Sequence, residues 1–312
     1  MLEGWAKRAR GALGRGVVGD ALRHDGVFWR KLAYAGAVHG PWWWRRYTPP
    51  AFGTTFCAVL PKQRRAVAGN WMRMGLAATA LEANLGALRT FVEFSLSLTD
   101  GLESTGKGLD GYSLDSPSDE RLTELVRQKR GVILLTAHTG SWEVVGRLIG
   151  RRHGAALTMV MSQEANASAR AFADTVRMRK QEGDFEIAYV GSDPLAALPL
   201  VSALRRGRIV AMQFDRVPPG MASVDAPFFG GSRAFPIGPF RLAQLTGAKV
   251  VVAFTRRVGH RRYAVEIPPV IELSKGRDES AIRVAAAEAA AALESFVRRN
   301  PAHWFHFEPL FA

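Results

Sequence analysis

The sequence predicts an α/β fold: a mostly parallel central sheet flanked by helices, preceded by an amphipathic N-terminal helical region. Three observations carry this reading. The run GVILLTA (Gly131–Ala137) is short and continuously apolar, as expected of a strand buried on both faces. Similar runs alternate with helix-like segments as far as Thr255, the pattern of parallel strands joined by crossover helices. Upstream, the chain from Leu2 to about Leu98 reads as amphipathic helix.

Taken in order, residues 1–98 form the helical region, interrupted at GPWWWRRYTPP (Gly40–Pro50), where glycine and prolines stop a helix. In LEANLGALRTFVEFSL, residues Leu81, Leu85, Leu88, Phe91 and Val92 fall on one face, which predicts a core-facing stripe. Residues 99–118 are polar and glycine-rich and read as a linker, leaving residues 119–312 as the α/β domain. That domain opens with a helix N-capped by Ser116, with Pro117 at its first position and Asp119 completing a capping-box-like pair. After the Gly131–Ala137 strand come a helix from about Ser141 to Arg152, strand Ala156–Met161, a helix from about Asn166 to Gln181, and strand Phe185–Val190. A helix opened by Asp193 and Pro194, strand Arg208–Phe214, a long loop, a helix over about Gly238–Thr246 and strand Lys249–Thr255 follow. A hairpin-paired strand (Arg261–Ile267) and an alanine-rich helix (Glu279–Arg299) close the domain.

Composition narrows the function. A chain of 312 residues with 47% hydrophobic side chains supports a sizeable core. Its net charge of +14 is concentrated early: Met1–Gly75 holds 13 Lys/Arg against three acidic residues, together with six of the eight tryptophans. Cations beside amphipathic rings suit a membrane surface, where they meet anionic headgroups and the interface. Nucleic acid is set aside as a partner because no RNP, zinc-finger or helix-turn-helix signature accompanies the charge. Cys57 is the only cysteine, which excludes a disulfide framework and a cysteine-based metal site and is compatible with a reducing location. No run of about 18 apolar residues occurs, and the N-terminus lacks the pattern of a signal peptide, so attachment to a membrane is expected to be peripheral.

Active sites of open α/β sheets collect at the carboxyl ends of strands. His138 immediately follows the Gly131–Ala137 strand, and Glu143 lies five residues on, in the first turn of the next helix. Neutral imidazole accepts a proton near neutral pH, and a carboxylate fixes its tautomer, so the pair fits a general base with its orienting partner. The same spacing also fits a strand-end histidine followed by a glutamate that the helix dipole favours. H-E-x-x-H is absent, so no metal site is expected; G-x-S-x-G is absent, so direct attack by an acceptor is favoured over a covalent acyl-enzyme. Asp215 and Arg216 follow another strand and should open on the same edge. Phe228, Phe229 and Phe235 with Arg233 read either as an apolar wall with a cation at its rim, suited to an acyl chain, or as the anchor of a long loop. Arg177, Arg179 and Lys180 form a basic run that fits a phosphate, an acidic carrier protein or a solvated face.

In order along the chain, HTGSWE, VRMR, ALRRGRIVAMQFDRVPPG, APFFGGSRAFPIGPFRLAQLTGA and NPAHWFHF resemble the bacterial lipid A biosynthesis acyltransferase family. This is the group of late lauroyl and myristoyl transferases, within the broader set of glycerophospholipid acyltransferases that carry H-x-x-x-x-[DE]. The resemblance spans about Gly131–Phe307. It implies transfer of a fatty acyl chain from acyl carrier protein, or sometimes coenzyme A, to a membrane lipid at the cytoplasmic side of the inner membrane, with no cofactor beyond that co-substrate. It further implies His138 as general base, Glu143 as its orienting partner, and Arg177 or Arg179 as a phosphate or substrate contact. Asp215 and Arg216 would belong to a later substrate-binding block. Two departures accompany it. Many members begin with a transmembrane helix, where this chain has Arg30, Lys31, Arg45 and Arg46; members acting on lipid A commonly end in an aromatic residue followed by HRR, where this chain has WFHFEPLF. The second departure leaves the acceptor open between a lipid A-type molecule and another polar lipid, at a hydroxyl or an amine. An esterase or thioesterase on the same frame and a non-catalytic basic binding protein are the rival readings.

Overall fold

The computed structural model describes residues 27–116, 120–162, 184–190 and 197–311. Among them, four helices come first: α1 (Val27–His39), α2 (Trp42–Val59), α3 (Pro61–Arg73) and α4 (Ala80–Lys107). There follow β1 (Ser113–Asp115), α5 (Glu120–Arg127), β2 (Val132–Thr136), α6 (Trp142–His153), β3 (Leu157–Ser162) and β4 (Phe185–Val190). The chain continues through α7 (Leu198–Arg205), β5 (Ile209–Gln213), β6 (Ser223–Phe228), β7 (Gly231–Pro236), α8 (Gly238–Thr246) and β8 (Lys249–Val252). It ends with β9 (Phe254–Gly259), β10 (Arg262–Glu266), α9 (Glu279–Arg299) and a 3-10 turn (Pro301–His303).

The α/β expectation holds. Five parallel strands form the main sheet in the order β4-β3-β5-β2-β8. Alternate residues of β2 face opposite cores: Ile133 and Leu135 join the layer of α9 and the N-terminal helices, while Val132 and Leu134 join the layer of α6. A strand with both faces covered must be apolar throughout, which is why GVILLTA carries no alternation. The chain leaves β2 towards β3 and leaves β5 towards β8, so the adjacent pair β2 and β5 forms the point where connections diverge.

Several local expectations change. The prolines do not break the second helix: α2 starts after Pro41 and runs through Pro49 and Pro50, because Pro49, Gly53 and Cys57 are buried against neighbouring helices. A Cβ on Gly53 would come within 2.7 Å of the Val92 backbone, so glycine permits this close crossing with α4. On α4 the buried stripe is Ala83, Gly86, Ala87, Thr90 and Phe91, whereas Leu81 and Leu85 are exposed. Small residues win the interior face because Trp71 packs over Gly86 and requires the helices to meet closely.

The polar stretch read as a linker from residue 99 is helical to Lys107 and then supplies β1. Its polar groups are buried partners rather than solvated ones. Asp100 accepts from Arg257 Nε (3.0 Å) and Tyr263 Oη (2.7 Å), and Glu103 is held by Arg261 (2.8 Å). Burial alone would raise the Glu103 carboxyl, and the Arg261 and Lys107 contacts overcome this and lower it.

The long loop before α8 is a hairpin, with β6 and β7 paired antiparallel from Ser223↔Pro236 to Phe228↔Gly231. Its two-residue turn, Phe229 (φ 46°) and Gly230 (φ 76°), takes positive φ at both positions, as the twist of a tight hairpin requires. The expected Lys249–Thr255 strand divides at Ala253 into β8 in the main sheet and β9, which pairs antiparallel with β10 in a second sheet. The expected helix over Glu279–Arg299 is observed with those bounds, N-capped by Asp278. The Asn166–Gln181 helix and the Asp193–Pro194 helix start lie outside the described residues, as do Pro117 and Asp119 of the Ser116 capping pair.

Candidate active site

The register of the main sheet builds the site. Thr136 of β2 lies opposite Gln213 of β5, and Phe214 N donates to Thr136 O (2.9 Å). Two residues beyond each member of that pair stand His138 and Asp215, brought together across 77 positions of sequence. His138 Nδ1 lies 2.8 Å from Asp215 Oδ1, and the His138 backbone N–H donates to the same oxygen (3.1 Å). Trp304 Nε1 donates to the other oxygen, Oδ2 (3.0 Å).

A fully buried carboxylate survives only when its charge is met by donors. Burial alone would raise Asp215. The charge and hydrogen bond of His138, the charge of Arg216 and the Trp304 N–H outweigh it and hold the carboxyl well below the usual range. An ionised carboxylate only accepts, so His138 Nδ1 must carry the proton, and a neutral ring then has its lone pair on Nε2. The His138 side chain is 30% exposed, while Asp215 is 0% exposed. The imidazole thus stands at the surface, held by a buried carboxylate beneath it.

Asp215 thus holds the ring of His138, a contact not expected from the local spacing of His138 and Glu143. Glu143 sits half-buried in the first turn of α6. A contact between residues five apart is visible in sequence, whereas the His138–Asp215 contact is set by pairing of β2 with β5.

The turn that presents His138 is tightly fixed. Thr139 and Trp304 form an antiparallel bridge, Phe305 N donates to His138 O (2.8 Å), and Gly140 N donates to His303 O (3.1 Å). On the other side, Thr255 N donates to Thr139 Oγ1 (3.2 Å) and Thr255 Oγ1 to Thr139 O (2.5 Å). Gly140 has φ 49°, and a Cβ there would lie 2.8 Å from Thr255 O, so both its backbone and its surroundings call for glycine.

Arg233, expected at the rim of an apolar wall, is instead wedged among aromatic rings. Its guanidinium lies over Trp304 (5.5 Å), Phe228 (5.7 Å) and Phe235 (5.9 Å), and Nη2 donates to Asp215 O (2.8 Å). Phe228 and Phe235 are 0% exposed and Phe229 is 7% exposed, so these rings are core beneath the dyad rather than the lining of an open slot. Edge-to-face packing of Phe228 on Trp304 and Phe235 supports the indole that bonds Asp215. Arg216 donates from Nη2 to Phe305 O (2.5 Å), and its buried Nε has no hydrogen-bond partner. Arg177 and Arg179 lie outside the described residues.

In the sequence HWFHF entered only through the family resemblance, and none of its residues was given a place in the site. Trp304 supports Asp215, and His306 stacks on it with ring planes 8° apart and Nε2 3.4 Å from Arg233 Nη2. Burial, then the Arg233 charge, pushes His306 down to about 3, so its ring is neutral. The available signal was the run itself, aromatic and imidazole rings alternating just after the last helix.

The model of the bacterial lipid A biosynthesis acyltransferase family matches residues 114–312. The chain belongs to this family. Among its relatives is a phosphatidylinositol mannoside acyltransferase of Mycobacterium tuberculosis (strain CDC 1551 / Oshkosh), 26% identical over 57% of this chain and 54% of the relative. Another, of the same description, from Mycolicibacterium smegmatis, is 25% identical over 67% of this chain and 66% of the relative. The chain thus spans about half the length of the M. tuberculosis protein it matches. The family match begins at Leu114, in β1, and so covers the site described above but not α1–α4.

Proposed function

We propose that this family member transfers a fatty acyl group from a thioester, on acyl carrier protein or coenzyme A, to a hydroxyl or amine of a polar membrane lipid. The observation that supports this best is the His138–Asp215 hydrogen bond of 2.8 Å at the carboxyl edge of the sheet. It leaves Nε2 as the basic atom. As the acceptor oxygen attacks the thioester carbonyl, its proton passes to Nε2; collapse of the tetrahedral intermediate breaks the C–S bond, and the imidazolium returns the proton to the departing thiolate. The thioester is consumed as co-substrate, and no other cofactor enters the balance. The positive end of the α6 dipole, four residues from His138, favours the oxyanion, and the unpaired Arg216 Nε supplies a donor for substrate. Glu143 and, from the family's arginine-containing segment, Arg177 or Arg179 complete the substrate contacts.

The acceptor is a hydroxyl-rich phospholipid rather than lipid A. The stretch WFHFEPLF carries no arginine where lipid A-acting members have HRR, and the relatives above act, by name, on phosphatidylinositol mannoside. The enzyme works peripherally on the cytoplasmic face of the inner membrane, where the basic surface draws an acidic carrier protein. Among the described residues, no helix is long and apolar enough to cross a membrane.

The test supplies the purified chain with a palmitoyl thioester, on either carrier, with and without vesicles containing mannosylated phosphatidylinositol. Mass spectrometry should find acylated lipid formed only with vesicles present. Equal release of free fatty acid in both arms would favour the esterase or thioesterase reading, and salt-sensitive vesicle binding without turnover the non-catalytic one.

A further inference from the structure

Helix α4 carries polar oxygens that receive no hydrogen bond from the dyad or from the buried Asp100–Glu103 network, although the charges of Arg257 and Asp100 act on Glu93. Glu93 and Ser97 stand one turn apart on it. Glu93 Oε2 and Ser97 Oγ are both buried without a hydrogen-bond partner, and Ser97 as a whole is only 3% exposed. Native proteins leave few buried polar atoms unpaired, so two acceptor-capable oxygens on one helix, four residues apart, point to donors that arrive with a ligand.

The neighbour of Glu93 does not complete it. His303 Nε2 is 3.6 Å from Glu93 Oε2, too far for a hydrogen bond, and lies 3.1 Å from Arg257 O, to which it donates. Burial keeps the His303 ring neutral, with its pKa pushed down to about 4, so it brings no charge to the carboxylate.

Position connects these groups to the reaction. His303 O and Phe305 N are the two atoms that bond Gly140 and His138, so Glu93 adjoins the segment paired with the catalytic turn. Phe94, next to Glu93, sets its ring edge-on to Phe305 and Phe307, each at 5.3 Å, and remains 38% exposed. One turn beyond Ser97, a Cβ on Gly101 would lie 3.4 Å from Ser141 Oγ, at the start of α6. A carboxylate oxygen and a hydroxyl oxygen beside a half-exposed aromatic face match a ring whose edge carries hydroxyl donors and whose C–H face is apolar.

From this geometry we infer that Glu93 and Ser97 bind hydroxyl groups of the acceptor's headgroup, a cyclic polyol, with Phe94 against its apolar face. The inference rests on the acyl-transfer reading and gives α4, which the family match does not cover, the task of orienting the acceptor for His138. Neither residue exchanges a proton with the substrate; both act by binding.

The experiment measures initial rates of the full chain with a palmitoyl thioester and vesicles of graded mannosylated phosphatidylinositol content, for wild type, Glu93→Gln and Ser97→Ala. Each variant should raise the acceptor KM about tenfold, while kcat at saturating acceptor and the donor KM change less than twofold. Thermal midpoints should not fall in Ser97→Ala, because an unpaired hydroxyl is what it removes. Unchanged acceptor KM in both variants, with wild-type transfer intact, would overturn this inference alone, as would an equal fall in kcat and thermal midpoint, the mark of a structural role. A wild-type chain that consumes no thioester would overturn the acyl-transfer reading and the inference with it.

Discussion

Asp215 is the residue that holds the candidate site together: a fully buried anion with donors on both oxygens, among them the ring of His138, the proposed base. Asp215→Asn keeps the size of the side chain but offers an amide N–H in place of an acceptor lone pair, which favours the wrong imidazole tautomer. Acyl transfer should fall by about three to four orders of magnitude with the far-ultraviolet spectrum unchanged. His303 and His306 give a separate pH signature, since burial pushes them down to about 4 and about 3. In the unfolded chain they titrate near the ordinary value of about 6.5. Below that pH the unfolded state binds more protons than the folded one, so these groups make stability fall as pH drops from about 6.5 towards 4. Asp215, lowered in the fold, adds its own loss only near and below the ordinary carboxylate pKa of about 3.9. Thermal midpoints taken across this range should decline, and His306→Gln should give a shallower slope. At this scale His138 was legible in sequence because it ends the clearest strand. Asp215 was legible as a residue of the same edge but not as its partner, because strand order, rather than local spacing, brings that carboxylate to the ring.

Among elements, the turn from β2 into α6 is the most constrained. Gly140→Ala would add a Cβ 2.8 Å from Thr255 O at a residue with φ 49°. A left-handed non-glycine residue alone costs about 1–2 kcal/mol, so this variant should lose at least that much stability, read from urea midpoints, and lose activity further as the ring shifts. Gly230→Ala provides the contrast: its φ is 76°, but nothing lies within 4 Å of the added Cβ, so it should cost stability only on the scale of that backbone term. Sequence reading recovered β2, α6, β5 and α9 well, because buried parallel strands and a capped amphipathic helix are written locally. It missed the last turns and the inward face of α4, and the β6–β7 hairpin. In α4, polar residues that normally mark a loop are buried against Arg257, Arg261 and Tyr263, and small residues rather than leucines face inward. In the hairpin, a phenylalanine at positive φ concealed the turn, and Gly230 was its one conventional signal.

Across the whole molecule, the N-terminal helices and the main sheet share one continuous core, in which Trp71 and Phe91 join Leu293 and Phe296. The region read as membrane-associating thus also shares the core that holds Phe228, Phe235 and Trp304 beneath the His138–Asp215 pair. Its outer surface still exposes Trp42 (67%), Trp43 (49%) and Tyr47 (62%) beside exposed Arg46, although Arg45 turns inward to Glu103 at 3.4 Å. Flotation with anionic vesicles should recover the wild-type chain, less of it as salt rises, and the Trp42→Ala/Trp43→Ala double variant should bind several-fold less without unfolding. The central claim, however, is that one imidazole at the sheet edge takes the acceptor's proton. The most direct test is the single-turnover rate of acyl transfer by His138→Gln, whose amide N–H can still serve Asp215 but which has no basic lone pair. A loss of about a thousandfold or more, with thermal midpoint and vesicle binding retained, is the predicted result; transfer within tenfold of wild type would contradict the assignment of His138 as the base.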